Sequence, residues 1–199
     1  MHKYSASFFC VVFFLLNSTL SPAQKLTYQI FMGKDSIGLM HAEHKVNGIN
    51  HQYEYKSSMT VNSVVTVEIQ YILTSVFDKE KLISSFTEQD INGRIRVAST
   101  TKWNDKWYDV QTLDRRDKIK NNLITFNLAT LYFREPVNIK KVYSDTHGSF
   151  LNIKSVGQHK YELILPDGKR NLYTYQFGIC KEVEVNQLFS KVYFKLVKN

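Results

Sequence analysis

Hydrophobic and polar residues alternate along most of the chain. Between His51 and Val61 the apolar side chains fall on odd positions and polar side chains occupy the even positions, and the segment from Val65 to Leu73 largely repeats this pattern. Successive side chains of a β-strand point to opposite faces of a sheet. The alternation therefore predicts strands with one buried face and one exposed face.

Short turn-forming sequences divide the alternating segments into separate strands. These turns are Gly33-Lys34-Asp35, Asn47-Gly48, Asn62-Ser63, Asn92-Gly93, Asn104-Asp105-Lys106 and Pro166-Asp167-Gly168. The predicted strands are Leu26–Met32, Ser36–Val46, His51–Val61, Val65–Leu73, Lys81–Ile91, Arg94–Trp103, Trp107–Leu113, Tyr161–Leu165, Asn171–Phe177, Ile179–Val185 and Lys191–Val197. No long helical segments alternate with them, which disfavours a parallel α/β sheet. We expect an all-β protein with a single curved antiparallel sheet, or a partly open barrel, of about ten strands.

One central segment does not show the alternation of hydrophobic and polar residues. Thr125 is a suitable cap for a short helix over Phe126–Phe133. The helix would end before Pro136, because the residue that precedes a proline is biased out of the helical region. The sequence thus predicts at most one short central helix.

The first 23 residues have the pattern of a secretory signal peptide. A basic residue near the start precedes the apolar run Phe8–Leu16, and Ser21 and Ala23 are small residues placed as before a cleavage site. The run is too short to span a bilayer, which takes about 20 apolar residues. Cys10 lies inside the run instead of after it, so a lipid anchor is not expected. We expect a soluble periplasmic or extracellular protein in which residues 24–199 form a single β domain.

Composition narrows the class of protein further. The 199 residues include 26 Lys and Arg against 18 Asp and Glu, which gives a formal charge of +8, and 14% of the residues are aromatic. Such apolar content excludes a disordered chain, and two cysteines exclude a disulfide-stapled miniprotein. Cys180 is the one cysteine outside the predicted signal peptide. It has no partner for an internal disulfide, which leaves a buried hydrophobic role or pairing with another molecule.

The sequence contains no motif typical of a catalytic or metal site. His41 and His44 are three positions apart and would point to opposite faces of a strand, which prevents joint metal binding. Asp145 and His147 would share a face, yet neither a Gly-x-Ser-x-Gly nucleophile motif nor a dinucleotide fingerprint accompanies them. We therefore expect a protein that is not an enzyme and that has no catalytic residues, no metal and no cofactor.

Two groups of residues are candidates for contact with a ligand or a surface. They are a basic segment with Arg115, Arg116, Lys118 and Lys120, and a hairpin whose tip is flanked by Trp103 and Trp107. An exported protein is not expected to meet nucleic acid, so an anionic envelope surface suits the basic segment better. A solvated basic loop is the simpler alternative. The tryptophans either contact a sugar or a membrane interface or, as we favour, pack against each other across the turn.

Two segments of the chain resemble a known family of proteins. They are the turn region Gly33–Gly38 and the segment Leu165–Val185, which reads LPDGKRNLYTYQFGICKEVEV. They resemble a family of small secreted bacterial all-β proteins with a domain of unknown function. The resemblance extends over nearly all of the chain after the signal peptide and implies a curved sheet with no catalytic residues to carry over. That family is similar in outline to periplasmic lipoprotein carriers, which is an analogy of shape alone.

These observations favour a non-enzymatic binding module for a lipid, an amphiphile or a lipidated protein in the cell envelope. The ligand would lie on a concave face with aromatic residues such as Tyr53 or Tyr71. The alternative is a structural or assembly protein that contacts other envelope proteins through sheet edges or basic loops. The sequence leaves open which face is concave, whether the interior is filled and what the oligomeric state is.

Overall fold

The structure, a computed structural model, describes residues 23–62, 65–186 and 191–198. The predicted signal peptide, apart from Ala23, and Ser63 of a predicted turn lie outside the described residues. The strands are β1 Gln24–Met32, β2 Asp35–Asn47, β3 Asn50–Asn62, β4 Thr66–Asp78, β5 Lys81–Ile91, β6 Arg94–Trp103, β7 Tyr108–Thr112, β8 Arg116–Ile119, β9 Lys141–Ser144, β10 Ser149–Gly157, β11 Lys160–Ile164, β12 Arg170–Gln176, β13 Ile179–Asn186 and β14 Lys191–Lys198.

All of these strands belong to one antiparallel sheet, which confirms the predicted fold class. Strands that follow each other in sequence are neighbours in the sheet, with one break between β8 and β9. The sheet is continuous across the two ends of the described chain, because β1 pairs with β14 and places Tyr28 opposite Leu196. The two edges of the sheet are therefore made by the middle of the chain.

The prediction of about ten strands is wrong, since the sheet has fourteen. β8, β9 and β10 have no counterpart among the predicted strands. β8 is mostly charged and exposed, and β9 is buried on both faces from Val142 to Ser144, so neither shows alternation. β10 alternates in burial only over its first half.

The predicted helix over Phe126–Phe133 is also wrong. A single 3-10 turn at Thr130–Tyr132 is the helical structure that this segment contains. The backbone pairs with β9 instead: the Tyr143 N–H donates a 2.9 Å bond to the Phe126 carbonyl, and the Leu128 N–H donates a 3.1 Å bond to the Tyr143 carbonyl. This pairing satisfies backbone groups that a helix would have satisfied internally.

Residues 124–132, which we call the plug, run through the interior of the sheet. Ile124 and Leu131 are fully buried. The Leu131 carbonyl accepts a 2.8 Å bond from the Tyr175 hydroxyl of β12, and the Ile124 carbonyl accepts a 2.8 Å bond from the Leu82 N–H of β5. The plug therefore joins the first half of the sheet to the second.

Side-chain bonds across the interior show which face is concave. The Thr101 hydroxyl of β6 lies 2.6 Å from the Tyr143 hydroxyl of β9. The Tyr71 hydroxyl of β4 lies 2.7 Å from the Thr146 hydroxyl in the turn after β9. The sheet thus curls into a barrel-like shape that encloses the plug. Across the described ranges, no helix has the length and apolar character needed to cross a membrane.

Candidate functional site

The curled sheet leaves a cavity of about 610 Å³ beside the plug. Most of its lining is apolar: Met32, Ile37, Met40, Met59, Val61, Ile69, Ile91, Leu128, Leu163, Leu165, Val183, Val185, Val192 and Phe194. Apart from Leu128 of the plug and Leu165, these residues come from β1–β5, β11, β13 and β14. The apolar residues of the alternating pattern therefore surround a space instead of filling it.

The cavity opens at one end of the strands. Met32, Val61 and Ile91 lie at strand ends on that side and remain partly exposed although they line the cavity. Leu128 and Tyr132 of the plug contribute the floor at the other side. Apolar side chains that face inward and stay half exposed mark a space that an apolar ligand can fill.

Tyrosines form the floor of the cavity. Tyr55 and Tyr71 stack with their ring centroids 5.2 Å apart, and Tyr55 meets Tyr132 edge-on at 5.3 Å. Burial raises the pKa of all three phenols, so they stay neutral and keep their hydroxyl groups as hydrogen-bond donors.

The cavity lining carries no acidic side chain, lysine or arginine among the residues that the structure describes. His147 lines it as well, and burial lowers the pKa of its imidazole, which favours the neutral form. The other polar lining residues are Ser57, Gln89, Ser144, Thr146, Asn171 and Tyr173. An uncharged lining of this kind accepts a hydrocarbon portion and can donate hydrogen bonds to a neutral polar group.

Asp145 is buried between two lining residues, Ser144 and Thr146. Its Oδ1 accepts a 3.2 Å bond from the Asn127 side chain of the plug, whereas its Oδ2 accepts no hydrogen bond from the described residues. Burial raises the pKa of this carboxyl to about 6. The carboxylate therefore ties the plug to the turn after β9.

The basic segment named from the sequence lies outside the cavity. The Nζ atoms of Lys118 and Lys120 are 4.6 and 6.0 Å from the ring centroid of Trp107. Arg116 is exposed at the start of β8, and Arg115 donates a 2.8 Å bond to a backbone carbonyl in the turn after β9. The structure brings Trp107, Lys118 and Lys120 together, and Arg116 lines the same surface groove as the two lysines, whereas Arg115 lies against the turn after β9.

The predicted contact between Trp103 and Trp107 is wrong. The register of β6 and β7 places Trp103 opposite Tyr108, and the two rings are 4.9 Å apart. Trp107 directly precedes Tyr108, so the side chains of Trp107 and Tyr108 point to opposite sides of the hairpin. Trp107 therefore points away from the side on which Trp103 and Tyr108 meet. Trp103 also has the Lys81 ammonium 5.0 Å above its ring.

The histidines of β2 lie in different surroundings. His41 is exposed, whereas His44 is half-buried and stacks on Tyr53 at 4.2 Å. The His44 Nε2 lies 3.0 Å from the His51 Nδ1, and burial together with His51 lowers the pKa of His44 to about 4. Within the described ranges, no group of three metal-binding side chains occurs.

Cys180 is completely buried in the core. Burial raises the pKa of its thiol, which keeps it protonated and poorly reactive. Its carbonyl accepts a 2.7 Å bond from the Tyr28 hydroxyl. The sequence left open a buried hydrophobic role and pairing with another molecule, and this environment fits the buried hydrophobic role.

The cavity itself was not located from the sequence, because a filled core and a ligand cavity share the same alternating pattern. One signal was present in the methionines. Met32, Met40 and Met59 are the methionines that follow Met1, and all three line the cavity. Methionine is flexible and polarizable, and it is common on surfaces that adapt to varied apolar ligands.

A curled antiparallel sheet around an apolar cavity places the chain among barrel-like all-β proteins. The chain belongs to the family described as "Domain of unknown function (DUF6134)", whose model matches residues 28–197. This finding confirms the expected membership in an all-β family of unknown function, while secretion stays a prediction.

The fold is similar to that in a crystal structure of a beta-barrel-like protein of domain of unknown function DUF1849 from Brucella abortus. The TM-score is 0.58 at 12% identity, and the match covers 89% of this chain and 96% of that one. At this identity the likeness concerns the fold alone. No curated protein matches the chain in sequence.

Proposed function

We propose that this protein is a non-enzymatic binding module for a lipid or another amphiphile. The observation that carries the proposal is the cavity of about 610 Å³, which is lined mainly by apolar side chains and opens at one end. Its volume falls within the range of about 300–1,000 Å³ that is typical of small-molecule sites.

The lining supports an apolar ligand over a charged one. Moving a charged group into an apolar cavity without a partner is costly, and the described lining offers no carboxylate, lysine or arginine as a partner. A hydrocarbon chain would gain about 0.8 kcal/mol for each buried methylene. A charged head group would therefore stay at the open end while the hydrocarbon chain enters.

The cell envelope is the proposed location of this binding. The sequence pattern of residues 1–23 is that of an exported chain, and an exported protein meets envelope lipids and lipidated proteins.

The alternative of an assembly protein has less support from the sheet edges. The plug covers β9, because its backbone bonds with Tyr143 occupy that edge. The other edge, β8, carries the charged residues Arg116 and Lys118. Charged edge strands discourage the addition of a further strand.

Native mass spectrometry of the gently purified protein tests the proposal, followed by titration with the fluorescent fatty acid cis-parinaric acid. The test variant is Met59→Asp, which puts a charge in the cavity. The matched control is Ser58→Asp, because Ser58 is the preceding residue of β3 and is exposed on the opposite face. We expect wild type and the control to bind, and Met59→Asp to bind at least about tenfold more weakly.

Equal binding by Met59→Asp, with its fold confirmed by circular dichroism, would place the ligand elsewhere. A wild-type protein that carries no ligand and binds no fatty acid would overturn the proposal. A stoichiometric protein partner in the same spectrum would favour the assembly alternative.

A further inference from the structure

The turn between β12 and β13 presents Phe177 to solvent. This residue is 94% exposed, the highest value among the exposed large hydrophobic residues that the structure describes. A phenylalanine in this position contributes nothing to the core and leaves its full apolar surface in water.

The backbone is strained at the same residue. Phe177 has a φ of 54° and Gly178 a φ of 77°, as in a type I′ hairpin turn. Asparagine, aspartate or glycine normally occupies the first of these positions, because a bulky side chain at positive φ is sterically unfavourable. Folding alone would favour asparagine here. A residue that is both exposed and strained points to a contact outside the chain.

A neighbouring loop carries a second exposed apolar residue. The Glu135 N–H donates a 3.1 Å bond to the Gly178 carbonyl, which places the segment after the plug beside the turn. Val137 of that segment is 59% exposed. We call Phe177 and Val137 the apolar tip.

Two lysines lie in the segments next to the apolar tip. The His159 carbonyl accepts a 2.9 Å bond from the Tyr175 N–H of β12, which places Lys160 near the turn, and Lys140 follows Val137 by three residues in the neighbouring loop. Both lysines are exposed, and no ion pair with a described residue neutralises either of them. Glu135, the acid beside the turn, has a side chain only 11% exposed and lies 3.0 Å from His159. The tip is therefore apolar, with an exposed lysine in each of the two adjacent segments.

We propose that the apolar tip docks on a bilayer that contains anionic phospholipids, with the ring of Phe177 inserted at the level of the head groups. Aromatic rings favour that interface, and lysines beside them are attracted to anionic lipids. A bilayer fits better than a protein partner, because the tip is small and convex whereas a stable protein interface buries about 800 Å² on each side. The cavity opens at the other end of the strands, so this contact is independent of the proposed ligand binding.

Co-sedimentation with phosphatidylcholine vesicles, with and without phosphatidylglycerol, tests the proposal. The test variant is Phe177→Asn, which suits the positive φ and removes the ring. The control is Leu113→Asn, since Leu113 is 56% exposed in the turn after β7, at the end where the cavity opens. We expect wild type and the control to bind vesicles with phosphatidylglycerol, more weakly as salt rises. Phe177→Asn should bind about ten- to a hundredfold more weakly.

The stability of Phe177→Asn gives a second readout. Asparagine relieves the strain in the turn, so the variant should unfold at an equal or higher urea concentration than wild type. Loss of vesicle binding then cannot come from unfolding. Vesicle binding by Phe177→Asn at the wild-type level, or no binding by wild type to either vesicle, would overturn the proposal. Binding of cis-parinaric acid by the same variant reports separately on the cavity.

Discussion

One buried carboxyl group makes stability depend on pH. Asp145 is 1% exposed, and burial raises its pKa from 3.8 to about 6. The folded state therefore binds this proton more tightly than the unfolded state. The stability that this group contributes is fully present below about pH 4 and is lost as the pH rises through 6.

Replacing this carboxyl by an amide should remove its part of the pH dependence. The quantity to compare is the free energy of unfolding of Asp145→Asn minus that of wild type. This difference should increase by up to about 3 kcal/mol between pH 4 and pH 8, because each pKa unit corresponds to about 1.4 kcal/mol. Urea unfolding at the two pH values measures this difference.

Asp167→Asn is the control for that experiment. Asp167 is exposed, and Lys169 lowers its pKa, so its contribution has the opposite sign and is lost as the pH falls. Parallel stability curves for wild type and Asp145→Asn would contradict the role given to Asp145.

Individual side chains were predictable only where a strand sets their direction. Tyr71 was expected on the concave face and lines the cavity. Tyr53 shares that face but packs edge-on against Phe77 near the closed end. The burial of Asp145 could not be predicted from the sequence. Asp145 follows a strand that shows no alternation, and it is buried by the plug, which is a separate segment of the chain.

Two long strands approach each other closely at Gly38. A Cβ at this position of β2 would lie 2.8 Å from the Met59 Cα of β3 and closer still to the Ser58 carbonyl oxygen. Both neighbours are backbone atoms that cannot rotate away. Only glycine fits between these strands without a shift of the sheet.

Gly38→Ala should therefore lower the free energy of unfolding by about 1–3 kcal/mol, as overpacking commonly does. Gly157→Ala is the matched control, since its Cβ would meet its nearest neighbour, the Lys160 Cβ, at 4.0 Å. That control should be close to neutral. Equal stability of the two variants in urea would show that the sheet absorbs the extra methyl group.

Among the secondary-structure elements, turns were predicted correctly from the local sequence, whereas pairing between distant segments was not predicted. Asn92-Gly93 was predicted as a tight turn, and its φ values of 53° and 75° confirm it. The segment Phe126–Phe133 carried a local helix signal, yet its backbone pairs with Tyr143 in a strand that the sequence did not predict. β8 is mostly exposed and β9 is buried on both faces, so neither strand shows the alternation from which strands were predicted.

The whole molecule depends on the plug to hold its two halves together. Leu131 packs in the core cluster formed by β1, β2 and β9–β14, whereas Trp103 is the last residue of β6 and Trp107 directly precedes β7. If the halves unfold as one unit, a destabilising substitution at Leu131 must also shift the unfolding transition that the tryptophans report.

Leu131→Ala should lower the free energy of unfolding by about 2–5 kcal/mol through the cavity it leaves. Tryptophan fluorescence and far-UV circular dichroism should report the same shifted transition. Fluorescence at the wild-type midpoint with a shifted circular dichroism curve would mean that the halves unfold separately.

The pairing of the first described strand with the last has a consequence for how the protein is made. β1 acquires its hairpin partner β2 early, whereas its second partner, β14, follows all the other described strands in the chain. At about 5–20 residues per second, one edge of β1 stays open for on the order of ten seconds after it leaves the ribosome. The nascent chain therefore exposes one open, aggregation-prone edge of β1 until β14 has been synthesised, and this edge gives a general chaperone a site to bind.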